Sequence, residues 1–237
     1  MRDLHTHILP GIDDGCSNEQ ESIKILKELA VNGVDEIVLT PHYIENSKYI
    51  TDCKSKEKLL STLKSTIKKD NIPIKLYVGN EIFFCDTVLD LLKDRKIEGL
   101  NNSKYLLIEF PIMNLPREAK NVFSELIYAG YKIVLAHPER YYYVMENINI
   151  LKDFIDMGVL LQGNYTSLYG VYGSKSKKIL KKLLRKGWVS FLCSDTHHDV
   201  KVNEKDLRKK LRWIISKEKQ DDLLINNFNK VVRNEEI

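Results

Sequence analysis

The feature that most constrains the fold of this chain is a repeated alternation between amphipathic segments and short apolar runs. Four times, a segment with apolar residues at helical spacing ends at a glycine, and an apolar run follows. The four glycines are Gly33, Gly130, Gly158 and Gly187. Glycine in that position is typical of a helix C-cap. The runs that follow are rich in Val, Ile and Leu, which is typical of strands buried on both faces.

Three further apolar runs bring the number of predicted strands to seven. The seven runs are RDLHTH, DEIVLTPH, IKLYVGNE, YLLIEF, YKIVLAHPER, VLLQGNY and WVSFLCSDTH. Strands that alternate with helices predict a parallel α/β architecture, either a closed barrel or an open doubly wound sheet. The chain contains neither G-x-G-x-x-G nor G-x-x-x-x-G-K, which disfavours the nucleotide-binding forms of the open sheet.

The length of 237 residues fits one large domain or two small ones, and α/β barrels of this size are common. No low-complexity linker divides the chain, so we expect one domain over residues 1–237, with residues 203–237 as outer C-terminal helices. The net charge is a mild +4, which gives little support for a nucleic-acid partner. No apolar run approaches the length of a membrane span, and no signal-peptide core follows the N-terminus. We therefore expect a cytoplasmic protein without a membrane span, and the oligomeric state stays open.

The cysteines exclude one phosphatase chemistry. They are scattered and form no C-x-x-C pair: Cys16, Cys53, Cys85 and Cys193. A thiol phosphatase needs an arginine six positions after its cysteine. The residues found there are Ser22, Leu59, Leu91 and Asp199, so that mechanism is absent.

Six of the seven apolar runs finish in a histidine or a carboxylate, and the exception finishes in Asn164. The residues at these ends are His5, His7, His42, Glu81, Glu109, His137, Asp195 and His197, and Asp13 and Asp14 follow the first run. The C-terminal ends of parallel strands gather on one face of an α/β barrel, where active sites are built. Five of the six histidines would therefore meet on one face, with His198 beside them.

Each of these residues taken alone has an ordinary structural explanation, such as a polar strand, a turn or a hydrogen-bonded core histidine. The joint pattern favours metal binding, because crowded carboxylates repel one another unless cations neutralise them. Histidine and carboxylate ligands without a thiolate suit Zn, Mn or Fe. The candidates are too many for one ion, so two or three ions are implied.

Six motifs occur in a fixed order along the chain. They are D-L-H-T-H with Asp13-Asp14-Gly15, T-P-H, G-N-E, L-I-E-F, A-H-P-E-R-Y and S-D-T-H. Together they closely resemble the PHP (polymerase and histidinol phosphatase) superfamily, and within it the bacterial manganese-dependent tyrosine-protein phosphatases of capsular and exopolysaccharide synthesis. The resemblance runs from Met1 to about His198. It implies a distorted (β/α)7 barrel with a three-metal cluster at its C-terminal face.

The resemblance also implies a role for each motif residue. The first metal is expected to be held by His5, His7, Glu81 and Asp195. Glu81 is expected to bridge to a second metal held by Glu109 and His137. The third is expected to be held by Asp14, His42 and His197, with Asp13 shaping the turn or supporting a ligand.

Phosphate binding is implied for Arg140 alone. Many family members carry a further arginine after the S-D-x-H motif, but HDVKVNEKDLRKK stands there, with no arginine at a clear match. Lys201 is a candidate substitute, as a point charge without the planar fork of arginine. Two groups of tyrosines, Tyr141 to Tyr143 and Tyr165, Tyr169 and Tyr172, either receive a phosphotyrosine ring or only pack under loops.

The activity implied by the resemblance is hydrolysis of phosphotyrosine by Mn²⁺, with Fe or Zn as alternatives. The partner would be a phosphotyrosine-bearing protein of capsule or exopolysaccharide control, such as the tyrosine-rich tail of a bacterial kinase. A small-molecule phosphatase of the same superfamily, acting on histidinol phosphate or a sugar phosphate, is the main alternative. A metal-dependent amidohydrolase is disfavoured, because Glu81 stands where those barrels often carry a modified lysine. A non-catalytic metal-binding or nucleic-acid-associated module is the remaining possibility.

Overall fold

The predicted parallel strands form two sheets. A computed structural model describes residues 1–199 and 203–237, so Lys201 lies outside the described residues. The smaller sheet contains β1 (Arg2–Thr6), β2 (Glu36–Leu39) and β4 (Lys75–Val78), in that order. The larger sheet contains, in order, β3 (His42–Tyr43), β5 (Glu81–Phe83), β6 (Tyr105–Glu109), β7 (Lys132–Ala136), β8 (Leu160–Asn164) and β9 (Val189–Cys193).

Two of the predicted apolar runs are interrupted and pass from one sheet to the other. The second run breaks at Thr40 and Pro41, between β2 and β3, and the third breaks at Gly79 and Asn80, between β4 and β5. Proline has no N–H to donate to a strand ladder, which accounts for the first break. The second run stays next to the third on both sides of the breaks, because β2 pairs with β4 and β3 pairs with β5. The seven runs therefore follow one another in chain order.

The first and last strands lie side by side. An isolated parallel bridge joins Thr6 to Thr196. The backbone N–H of His7 donates to the Thr196 carbonyl at 2.8 Å, and the N–H of Asp195 donates to the His5 carbonyl at 3.0 Å. Within the described residues, no regular ladder joins β1 to β9. The architecture is thus the predicted α/β fold of the distorted (β/α)7 barrel type, not a doubly wound sheet.

Helices connect the strands and follow the last one. They are α1 (Glu19–Val31), α2 (Cys53–Lys69), α3 (Val88–Lys93), α4 (Ala119–Tyr128), α5 (Tyr142–Glu146), α6 (Ile150–Asp156), α7 (Gly173–Arg185), α8 (Glu204–Leu211), α9 (Lys217–Asp221) and α10 (Asn227–Val232). The four predicted C-cap glycines all have positive φ. Within the described residues, no helix is both long and apolar enough to cross a membrane.

The C-terminal helices do more than cover the outside. Phe228 and Val231 of α10 are buried in a cluster with apolar residues of the strands, such as Leu4 and Val38. We predicted that residues 203–237 would form outer helices, but α10 also completes the core at β1 and β9.

Lys56 of α2 is completely buried and ties the two strand interruptions together. Its ammonium lies 2.6 Å from Glu98 Oε1 and donates to the Gly79 carbonyl at 3.2 Å. It also donates to the side-chain oxygen of Asn80, whose amide nitrogen donates to the Pro41 carbonyl at 3.3 Å. One buried cation therefore fixes the chain path at both breaks.

Replacing this lysine by an apolar residue should destabilise the fold. Lys56→Met removes the partner of the Glu98 carboxylate, and breaking a buried ion pair costs about 3–5 kcal/mol. Urea denaturation measures the difference. Lys58→Met, at an exposed position of the same helix, is the matched control and should change stability by about 0.5 kcal/mol or less. A similar stability of the two variants would contradict this account.

Candidate metal centre

The structure brings together all nine side chains that the sequence nominated as metal ligands. They lie at the C-terminal ends of the strands or in the loops just after them: His5, His7, Asp14, His42, Glu81, Glu109, His137, Asp195 and His197. Three overlapping groups of these residues have ligand atoms close enough to hold an ion.

The innermost group is buried and compact. The Nε2 atoms of His5 and His7 lie 3.2 Å apart, and each lies 3.1 Å from Oε2 of Glu81. Oδ1 of Asp195 lies 3.4 Å from the first nitrogen and 3.5 Å from the second. The side chains are at most 2% exposed. Two nitrogens and two carboxylate oxygens therefore converge on one point.

The other ring nitrogens fix the direction of both imidazoles. Nδ1 of His5 lies 3.0 Å from Oε1 of Gln162, and Nδ1 of His7 lies 2.8 Å from Oδ2 of Asp13. Both partners are oxygen acceptors, so each Nδ1 carries the proton and donates it. A neutral imidazole of this tautomer presents its Nε2 lone pair inward, as metal-ligating histidines with such support do.

A second group surrounds Glu81 from the other side. Nδ1 of His42 lies 3.1 Å from Glu81 Oε2 and 3.2 Å from Glu109 Oε1. Nε2 of His137 lies 2.9 Å from Glu81 Oε1 and 3.7 Å from Glu109 Oε2. Both Glu81 Oε2 and His42 Nδ1 are buried without a hydrogen-bond partner. Such orphaned polar atoms are the pattern that a bound cation would satisfy.

This grouping differs in one respect from the sequence interpretation. The sequence placed His137 with Glu81 and Glu109, whereas the tightest geometric group joins His42 to those two carboxylates. His137 still contacts the same carboxylates. His42 faces the second group through Nδ1 and the third through Nε2, so it stands between them.

The third group is the one open to solvent. Oδ1 of Asp14 lies 3.5 Å from Nε2 of His42 and 3.4 Å from Nε2 of His197. The Asp14 side chain is 51% exposed. The His7 ring stacks on His197 with centroids 4.0 Å apart, which joins this group to the innermost one. A substrate would reach the cluster from this side.

The charges of the cluster depend on one another. Burial lowers the pKa of His5, but the carboxylates of Glu81 and Asp195 outweigh it and raise the pKa to about 9. Burial also favours the neutral form of Glu81, yet His5 and His42 hold the pKa of its carboxyl well below the usual range. The carboxylates therefore stabilise either protons on the imidazoles or a metal ion, and the two compete.

Two of the strand ends are strained. His137, directly after β7, has φ of 30° and ψ of 53°, and Asp195, after β9, has φ of 55°. Non-glycine residues rarely adopt this left-handed conformation, which costs on the order of 1–3 kcal/mol each. Such strain is concentrated at functional sites, where the surrounding contacts hold it.

Arg140 lies at the edge of the innermost group. Its Nη1 donates to Oδ2 of Asp195 at 2.7 Å, and Nδ2 of Asn164 donates to the same oxygen at 2.7 Å. Oδ1 of Asp195 faces His5 and His7 instead. The Asp195 carboxylate thus contacts Arg140 through one oxygen and the two histidines of the innermost group through the other.

The six nominated tyrosines divide into two kinds. Tyr142 and Tyr169 are exposed and Tyr172 is half-buried, so these three are open to a substrate. Tyr141 and Tyr165 are buried, and Tyr143 stacks on Tyr141 with its hydroxyl buried. The Tyr141 hydroxyl donates to the Ala136 carbonyl at 2.6 Å, so its role is packing and support.

Sequence reasoning missed the roles of Gln162 and Asn164, which lie in β8. Gln162 supports His5 and accepts from the N–H of His137 at 3.2 Å, and it donates to the side chain of Asn164 at 2.8 Å. Both are buried, and their signal was the polar end of an otherwise apolar run. The role of Asp13 was left between turn and support, and it does both: Oδ1 accepts from the N–H of Gly15, and Oδ2 accepts from His7 and from the N–H of His42.

Comparison with known proteins places the chain in a family. A family described as capsular polysaccharide synthesis, CpsB/CapC, matches residues 1–233. CapC of Staphylococcus aureus is 36% identical over 83% of this chain and 77% of its own length. The tyrosine-protein phosphatase YwqE of Bacillus subtilis is 32% identical over the whole chain and 93% of its own length.

Solved structures agree. One from the work on YwqE of Bacillus subtilis and CpsB of Streptococcus pneumoniae, described as unique metal-dependent tyrosine phosphatases, aligns with a TM-score of 0.93 and 30% identity. It covers all of this chain and 96% of its own. A histidinol phosphate phosphatase of Lactococcus lactis shares the fold alone, with a TM-score of 0.58 and 14% identity over 91% of this chain and 93% of its own. On this evidence, the chain belongs to the CpsB/CapC family.

Proposed function

We propose that this chain is a metal-dependent phosphatase that hydrolyses phosphotyrosine in a protein controlling capsule or exopolysaccharide synthesis. The observation that carries the proposal is the buried convergence of His5, His7, Glu81 and Asp195 beside Arg140. Membership of the CpsB/CapC family, with relatives named tyrosine-protein phosphatases, supports the substrate class. Mn²⁺ is the proposed metal, and the tyrosine-rich tail of a bacterial kinase is the proposed partner.

The proposed ligands form three sets. His5, His7, Glu81 and Asp195 hold the first ion; Glu81, Glu109 and His137 hold the second; Asp14, His42 and His197 hold the third. The donor chemistry fits, because imidazole and carboxylate ligands without thiolate suit such an ion. The orphaned oxygen of Glu81 supports its bridging position between the first two sets.

The remaining residues of the site orient the ligands and bind the substrate. Bound ions would lower the pKa of water and offset the charge of the phosphate. Gln162 and Asp13 hold the first two imidazoles in the ligating tautomer. Arg140 binds the phosphate oxygens with the N–H groups that Asp195 leaves free, through charge-assisted hydrogen bonds. Tyr142 and Tyr169, which are exposed, meet the aromatic group of the substrate at the rim.

Metal analysis combined with turnover of two substrates tests the proposal. The purified protein should contain two or three equivalents of metal and should lose hydrolysis of a phosphotyrosyl peptide when chelated. A variant with all four cysteines replaced by serine should keep its activity. If histidinol phosphate is the better substrate by kcat/KM, the tyrosine assignment is wrong; if neither substrate turns over with metal bound, the chain is not this enzyme.

Glu81→Ala should remove more than one ion and most of the activity, because this carboxylate contacts His5 of the first set and His137 of the second. Elemental analysis of the purified variant measures the loss. His198→Ala is the matched control: its side chain is 56% exposed and pairs with Glu21 outside the three sets, so metal content should not change. Full occupancy in Glu81→Ala would disprove the bridging role.

Metal binding should become stronger as the pH rises from 7 to 9. His5, with its pKa raised to about 9, carries a second ring proton, on Nε2, at pH 8 before metal is added. That proton must leave when metal binds. Lower pH restores the proton and weakens binding. Calorimetric titration with Mn²⁺ in two buffers of different ionisation enthalpy measures the protons released at pH 8. An affinity that is constant from pH 7 to 9, with no proton released, would contradict the ligand role of His5.

Arg140→Ala should keep the metal but lose on the order of a hundredfold in kcat/KM, the range for removal of one donor to a developing charge. Arg140→Lys should recover only part, because an ammonium lacks the two-pronged geometry of the guanidinium. Steady-state kinetics with a phosphotyrosyl peptide measure both variants. If Arg140→Ala has the kinetics of the wild type, Arg140 does not bind the phosphate.

A further inference from the structure

The guanidinium of Arg140 is held from two directions. Asp195 accepts from Nη1 at one edge of the guanidinium plane. From a second direction the guanidinium lies over the ring of Tyr172, with Cζ 4.4 Å from the ring centroid, a cation–π contact. In the chain as described, no further hydrogen bond of this guanidinium is recorded beyond the one to Asp195. Asp195 alone would leave the plane free to pivot about a single bond.

The local backbone explains why Tyr172 lies there. Tyr172 follows the short helical turn Tyr165–Tyr169 and directly precedes α7. The flanking glycines, Gly170 and Gly173, have φ of 85° and 87°. A Cβ atom at either position would meet nothing within 4 Å, so conformation and not crowding requires glycine at both. Two left-handed residues three apart thus make a tight turn that carries the tyrosine toward the arginine.

We propose that Tyr172 is a positioning residue that fixes the plane of Arg140 for phosphate binding. The inference rests on the proposed role of Arg140 and adds a residue to which no function has been assigned there. The ring face attracts the cation without using its N–H groups. A second carboxylate in the same place would accept those N–H groups and compete with the phosphate. An aromatic face therefore suits an arginine that must stay oriented and still have free donors.

The expected effect follows from the strength of such contacts. Cation–π pairs contribute from about twofold in affinity at exposed sites to about 30-fold when they are desolvated. We expect Tyr172→Leu to weaken the affinity for inorganic phosphate and to lower kcat/KM by an amount in that range, with metal content unchanged. Tyr172→Phe keeps the aromatic face and should keep most of the phosphate affinity and most of the kcat/KM. Tyr128→Leu, a control at a 96% exposed tyrosine of α4, should match the wild type.

A double-mutant cycle separates positioning from direct contact with the substrate. In an Arg140→Ala background, Tyr172→Leu should cause no further loss, because the group it orients is gone. A loss of equal size in both backgrounds would overturn the proposal, since the ring would then act without the arginine. Wild-type behaviour of Tyr172→Leu would overturn it as well.

Fluorinated phenylalanines at position 172 keep the shape of the ring and guard against a folding defect in Tyr172→Leu. Phosphate affinity should fall step by step as added fluorine weakens the negative ring face, and an unchanged affinity across the series would contradict the proposal. The probe throughout is inorganic phosphate, titrated calorimetrically into metal-loaded protein. If the wild type binds phosphate through Arg140 and Tyr172 but does not hydrolyse phosphotyrosine, the proposed function fails and the positioning role stands. If the metal-loaded wild type does not bind phosphate, the positioning role is wrong.

Discussion

The rest of the site depends on two imidazole nitrogens that face each other at 3.2 Å with two carboxylate oxygens beside them. Gln162 and Asp13 direct the ring protons of His5 and His7 away from this point, so lone pairs and negative oxygens are left facing inward. Burial makes this arrangement costly unless positive charge lies at the centre. Protons on the imidazoles supply that charge in one state, and the proposed metal ions supply it in the other. The same balance accounts for the raised pKa of His5 and the lowered pKa of Glu81.

Irregular strand ends bring the residues of this cluster together. The breaks at Pro41 and at Gly79–Asn80 shift His42 and Glu81 into the second sheet, where they pair directly. The buried ammonium of Lys56 holds both breaks. The left-handed turns at His137 and Asp195 end two more strands, and their strain is held by contacts with Glu81, Gln162 and Arg140. The strained strand ends lower the stability of the fold, but they place the candidate ligands close together.

Much of this was accessible from sequence, because strand periodicity and strand order act over short distances. The apolar runs predicted the parallel strands, and the residues at their ends predicted which side chains would meet. The breaks within two runs were not predicted, since each run was taken as one strand that ends at His42 or Glu81. The contacts of His42 with Glu81 and Glu109 had no signal in the sequence, because they depend on the direction of single side chains after those breaks. The contacts of Gln162 with His5 and of Tyr172 with Arg140 join residues distant in sequence, for which no local pattern exists.

Anomalous X-ray diffraction from crystals soaked with Mn²⁺ tests the central claim most directly. The account predicts one peak among Nε2 of His5, Nε2 of His7, Glu81 and Asp195, a second at Glu81 and Glu109, and a third at Asp14 and His197. The absence of a peak between the two inward-facing imidazoles of His5 and His7, in crystals that bind Mn²⁺ elsewhere, would contradict it.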